Sequence, residues 1–183
     1  MQEKELIQAA LAQDAAAQRA LFEEHVDRVY RLAYRMSGDP ALAEDFTQET
    51  FVRAFDYLPG FRGQSSFATW LHSIAMSVIL NGLRKVRRLR GQELGWDDAA
   101  AGARGATEDL DLRRRLHRGI TALPDGLKAV FLMHEVEGFK HEEIAAALDI
   151  PIGTSKARLS RAREQLREAL SRHGMRLAGK EEA

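Results

Sequence analysis

At 183 residues the chain has room for one ordinary domain or two small ones, each near the lower limit of a self-sufficient core. It contains no cysteine, which excludes disulfides, thiolate nucleophiles and cysteine-based zinc sites and suits a reducing cytoplasm. No apolar run approaches the roughly 20 residues of a membrane span, and the start MQEKELIQAA lacks the basic-then-apolar order of a signal peptide, so a soluble intracellular protein is expected.

The formal net charge is zero, which by itself argues against a nucleic-acid partner. The segments differ from that sum. Residues 1–60 carry 6 basic and 11 acidic groups, and residues 61–91 carry 6 basic and none acidic. Residues 92–112 hold 6 acidic and 1 basic, and residues 113–172 hold 12 basic and 8 acidic. Because charges act within about 10 Å at ordinary salt, each basic block can face phosphate despite the neutral total.

Strand periodicity is absent and apolar residues recur every three or four positions, so an all-α chain is expected. A short N-terminal helix precedes RALFEEHVDRVYRLAYRM, where Phe22, Val26, Val29, Ala33 and Met36 form the expected buried face. Gly38 ends that helix, and Asp39 ahead of Pro40 is a natural N-cap for the next. In ALAEDFTQETFVRAFDYL the expected core positions are Leu42, Phe46, Phe51, Phe55 and Leu58. Asp45, Gln48, Glu49 and Asp56 share another, mostly acidic face.

Pro59-Gly60 breaks the chain, and Ser65 or Ser66 can cap a third long helix from about Phe67 to Arg90. Residues 91–107 lose the periodicity and read as a linker. Helix resumes near Glu108, and Pro124 marks a boundary. In HEEIAAALDIPIGTSKARLSRAREQLREALSR two helices flank a turn at Asp149 to Gly153, the pattern of a helix-turn-helix. Ile144, Ala145 and Leu148 face inward on its first helix. Leu159, Ala162, Leu166 and Leu170 do so on the second. Ser155, Lys156, Arg158, Arg161 and Arg163 lie outward near the amino end of that second helix, where recognition helices meet DNA. A helical hairpin with a solvated charged face remains an alternative.

Phe67, Trp70 and Leu71 stand beside the basic run Arg84, Lys85, Arg87, Arg88 and Arg90. Helical aromatics are commonly core and terminal cations commonly solvated. Together, however, rings that stack bases and cations that pair phosphates are what single-stranded nucleic acid requires. Enzymatic readings find little support. His141-Glu142 opens like a zinc helix, but position 145 is Ala, and no Gly-rich phosphate loop or GxSxG elbow occurs. Neither a metal nor any other cofactor is expected.

AEDFTQETFVRAFDYLPGFRGQSSFATWLHSIA resembles region 2 of extracytoplasmic-function (ECF) sigma factors, and LPDGLKAVFLMHEVEGFKHEEIAAALDIPIGTSKARLSRAREQLREAL resembles their region 4. The resemblance implies two small helical domains on a flexible acidic linker: region 2 over 1–90, linker 91–112, region 4 over 113–173 and a tail 174–183. It also implies an alternative sigma factor that binds core RNA polymerase through the clamp helices and flap of the large subunits and catalyses nothing. Asp45, Gln48, Glu49 and Phe51 match the clamp-binding positions. The loop from Phe61 to Phe67, including Arg62 and Ser65, with Trp70 and Ser77, matches the part that captures a base of the single-stranded promoter −10 element, and the basic Arg84, Lys85, Arg87 and Arg88 are expected to follow the adjoining backbone. Thr154, Ser155, Lys156, Arg158, Arg161 and Arg163 match the reader of the duplex −35 element.

The chain departs from the family pattern at Met76 and Ser77, where a basic residue and Asn are usual. It departs again at Lys140 and in GTSKAR, which adds the hydroxyl of Ser155. An anti-sigma protein covering both domains is a further implied partner. Two rival readings are a two-domain DNA-binding regulator that never joins polymerase and a mimic that titrates a regulator.

Overall fold

The structure, a computed structural model, describes residues 3–89 and 112–178, with side chains over 3–89 and 115–171. The described residues form helices and no strand, as expected, and the chain divides into two compact units, residues 1–91 and 92–183. The expected linker lies outside the described residues except for Leu112.

The first unit holds α1 (Glu3–Leu11), α2 (Ala15–Ser37), α3 (Pro40–Tyr57), a 3₁₀ turn (Leu58–Gly60) and α4 (Phe67–Leu89). Its helix boundaries follow from local chemistry. Asp14 Oδ1 accepts the N–H groups of Ala16 and Ala17, and Asp39 Oδ1 accepts those of Ala41 and Leu42, so each carboxylate satisfies two otherwise orphaned donors. Gly38 takes the left-handed conformation (φ 67°) that closes α2 and donates to the Tyr34 carbonyl. Ser66 Oγ accepts the Thr69 N–H at 3.1 Å and so caps α4.

The buried face of α2 is rotated from the expected one. Leu21, His25, Val29, Leu32, Ala33 and Met36 point inward, Val26 is half-buried and Phe22 is exposed. An imidazole occupies an apolar position there, with Phe67 5.3 Å from its ring. On α3 the core comprises Ala43, Phe46, Thr47, Thr50, Phe51 and Ala54, while Leu42 and Phe55 are only half-buried. The two threonines tolerate burial because each hydroxyl donates back to the carbonyl four residues earlier, Ala43 and Phe46, at 2.6 Å. Helices α3 and α4 approach closely at Gly82, where an added Cβ would stand 2.7 Å from Phe46 Cζ. Glycine there is a packing requirement.

The second unit holds α5 (Leu112–Ala122), α6 (Asp125–Phe131), a π turn (Leu132–Val136), α7 (His141–Leu148) and α8 (Ile152–Ala178). Helix α8 runs to Ala178, into the expected tail 174–183. Its core joins Leu123 and Leu127 to Ala162 and Leu166, with Ile120 and Phe131 packed alongside. Lys128 is fully buried, and its Nζ donates to the Thr121 carbonyl at 2.8 Å in the last turn of α5, where a cation also meets the negative end of the helix dipole. In the π turn the Glu137 N–H bonds the Leu132 carbonyl, five residues back.

Candidate functional site

Three surfaces carry the chemistry. The first is the amino end of α4 with the loop before it. Phe67 is fully buried, packed against Phe61 (6.0 Å), Trp70 (5.6 Å) and His25 (5.3 Å), so it supports the site and is not itself a surface contact as expected. Phe61 and Trp70, both half-buried with centroids 5.0 Å apart, form the ring surface above it. Phe61 opens the loop that the resemblance gives to a flipped base, and its place next to a turn made its burial unreadable from periodicity.

Gly63 turns the loop at φ 66°, Arg62 is exposed and Ser65 half-buried. One long-range bond fixes the helix start: the Phe67 N–H donates to Glu3 Oε1 at 3.3 Å, across 64 residues. Burial holds His25 below its ordinary value of 6.5, with His72 and Arg28 adding to the effect and Glu24 and Glu3 opposing it.

From Trp70 one helical face runs through Ser77, Asn81, Arg84 and Arg88, all exposed after the half-buried Trp70. At 1.5 Å per residue this track is about 27 Å long. Arg84 Nη1 donates to Asn81 Oδ1 at 3.1 Å. Lys85 is exposed, and Arg87 is half-buried. Of the two positions on α4 where the sequence leaves the family pattern, Met76 is fully buried and only Ser77 faces out. Asn81, exposed one turn further on, places an amide on this face.

The second surface is the outer face of α3, where Asp45, Gln48, Glu49 and Asp56 are exposed as expected. Phe51 is not with them. It is only 4% exposed and packs edge-on against Phe22 at 4.7 Å, so the expected contact residue is core. Val52, 59% exposed, stands in the polar stripe instead. Arg53 pairs with Glu49 at 2.7 Å on the surface, a contact worth little in stability.

The third surface is the helix-turn-helix. Asp149 adopts the left-handed conformation (φ 51°) and its N–H returns to the Ala145 carbonyl, ending α7 so that α8 starts within three residues. Lys156 and Arg161 are exposed, while Thr154 and Arg158 are half-buried. Two expected DNA contacts have other partners. Ser155 is fully buried and shares a 2.9 Å hydrogen bond with His141 Nδ1. Arg163 donates from both Nε and Nη2 to Glu135 Oε1. That guanidinium holds the Glu135 carboxyl below its ordinary range.

Residues 21–89 match the family Sigma-70 region 2, and residues 113–166 match Sigma-70, region 4. The ECF RNA polymerase sigma factor SigW of Bacillus subtilis is 33% identical, the match covering 86% of this chain and 90% of that protein. The chain belongs to the ECF sigma factor family. The ECF RNA polymerase sigma factor SigE of Mycolicibacterium smegmatis is 37% identical over 86% of this chain, which spans only 63% of SigE's length. A solved structure, the sigma factor RpoE in complex with the anti-sigma factor NepR from Bartonella quintana, is similar with a TM-score of 0.65 and 25% identity. It covers 84% of this chain and 96% of that one. In this sigma factor region 2 therefore spans α2 to α4, while α1, which precedes the matched residues, supplies the carboxylate at the first turn of α4.

Proposed function

We propose that the chain acts as an alternative sigma factor: it joins core RNA polymerase, directs it to promoters and opens them, and catalyses no reaction itself. The observation that carries this reading is the coexistence, in one unit, of an outward acidic α3 face and a ring-and-cation track along α4. A DNA-binding regulator independent of polymerase requires neither.

In this reading Asp45, Gln48, Glu49 and Val52 meet the clamp helices of the polymerase, an acidic stripe attracting a basic partner surface. Phe61 and Trp70, with Arg62 and Ser65 beside them, hold a base taken from the −10 stack. Unstacking costs roughly a few kcal/mol, which a fitted ring surface offsets. Ser77, Arg84, Lys85, Arg87 and Arg88 follow the adjoining single strand. Thr154, Lys156, Arg158 and Arg161 read the −35 duplex. RpoE of Bartonella quintana is held by an anti-sigma factor; the same kind of partner, masking these surfaces, is proposed here, and with it a cytoplasmic, nucleoid-associated location when the partner is released.

The test is transcription in vitro with core RNA polymerase and a library of promoter fragments. Promoter-dependent transcripts that require the added chain are expected. Their absence, where another sigma factor works, sinks the proposal. Copurification of a small partner from the native cell is the expected sign of an anti-sigma protein.

A further inference from the structure

The bond between His141 and Ser155 joins the two helices of the helix-turn-helix at the root of the recognition helix. Ser155 has no solvent contact, and its neighbour Lys156 is exposed. The rotation of α8 that buries one therefore aims the other outward. His141 is the first residue of α7, and the bond spans 14 residues.

The π turn completes the joint. The His134 ring lies 4.8 Å from that of His141, His134 Nδ1 is 3.3 Å from Glu135 Oε1, and Arg163 of α8 donates to the same carboxylate oxygen. Glu142 and Lys156 also face His141. Burial, then the neighbouring His134 and Lys156, lower its proton affinity, with Glu142 opposing and Arg163 adding. The imidazole is thereby kept neutral, with one nitrogen to share with the Ser155 hydroxyl.

We propose that His141 and Ser155 are a positioning pair that sets the seating of α8 on α7, and through it the −35 sequence this chain selects. The inference rests on the reading of region 4 as the −35 reader. Ser155 then reads no base. It fixes the direction from which Thr154, Lys156 and Arg158 do so. Leverage is large: rotating a helix of about 6 Å outer radius by about 10° moves a side-chain tip about 1 Å, and paired hydrogen bonds to a base edge tolerate only about half that.

The experiment selects promoter fragments, randomised over the −35 element, with the full chain bound to core RNA polymerase, at a temperature where circular dichroism shows every variant folded. His141→Phe leaves the buried Ser155 hydroxyl without a partner. His141→Asn puts an amide where Nδ1 stood. His141→Phe with Ser155→Ala removes both polar groups, which is far less costly than removing one.

His141→Phe is expected to shift the enriched sequence and to cut discrimination against scrambled −35 elements about tenfold. His141→Asn should stay within about threefold of the parent. The double variant, which removes the bond without leaving a buried hydroxyl unpaired, should regain stability but still shift the enriched sequence. Should His141→Phe not fold, Ser155→Ala alone should still alter the enriched sequence. If His141→Phe and Ser155→Ala both enrich the parental sequence with parental discrimination, while Arg158→Ala loses it, the positioning pair is overturned and the −35 reading stands. If the parent itself enriches no sequence, the −35 reading fails and the inference falls with it.

Discussion

Trp70 and His25 both pack against Phe67, one half-buried and one in the core, and this contrast sets what each should do when altered. Trp70→Ala removes a stacking surface worth about 1–3 kcal/mol per base. It should slow promoter opening about tenfold or more, read with a fluorescent base in the −10 element, while polymerase affinity changes little. Equal loss of both would make the ring a packing residue only. His25 is held neutral by burial, so its folded value lies below its unfolded one and the unfolded chain binds more protons. Stability contributed by neutral His25 is complete above about pH 6.5 and is lost as pH falls from there toward its folded value. The melting temperature of the first unit should drop across that window, and His25→Phe should flatten the dependence. Identical pH profiles would refute the assignment. These two residues also mark what composition hides: an imidazole counted as polar occupies an apolar position, which is why the expected face of α2 came out rotated toward Phe22 and Val26.

The helices themselves were legible wherever a boundary is written in side-chain chemistry. Asp39, Pro40, Gly38 and Ser66 stand where caps and stops are needed, and α3 and α4 begin accordingly. The facing of α3 was less so, because Thr47 and Thr50 satisfy their hydroxyls within the helix and so pass as core, which apolar periodicity cannot register. Ser155 is the same case across two helices, and the π turn has no periodic signature at all. The neighbours Phe51 and Val52 test which of the two meets the polymerase. Phe51→Ala should cost about 3–5 kcal/mol of stability. Val52→Ala should change stability by less than about 0.5 kcal/mol yet weaken binding to core polymerase in a competition assay. The reverse pattern would restore Phe51 as the polymerase contact that the family resemblance implied. Where α3 and α4 cross, Gly82→Ala drives a methyl group into the Phe46 ring. A loss of about 1–3 kcal/mol in thermal or urea unfolding is expected, and an unchanged melting temperature would mean the helices separate at no cost.

Across the whole chain, 27 basic and 27 acidic groups cancel, yet Asp45, Glu49 and Asp56 lie on one helix and Arg84, Lys85 and Arg88 on another. Such segregation gives promoter binding a salt dependence that the net charge does not foretell. Each phosphate neutralised steepens the logarithmic slope by about 0.7–0.9. Arg88→Ala should therefore reduce the slope of holoenzyme binding to an opened promoter by about that amount, and an unaltered slope would remove Arg88 from the strand path. The bond from the Phe67 N–H to Glu3 also has a temporal side. Glu3 leaves the ribosome 64 residues ahead of its partner, a wait of roughly 3–13 s at ordinary elongation rates. Helix α1 buries Leu6, Ile7 and Ala10 and packs on α2, its neighbour in the chain, so it can be seated by the time Phe67 is made. The carboxylate that steadies the first turn of α4 is thus supplied in advance by a helix synthesised before it.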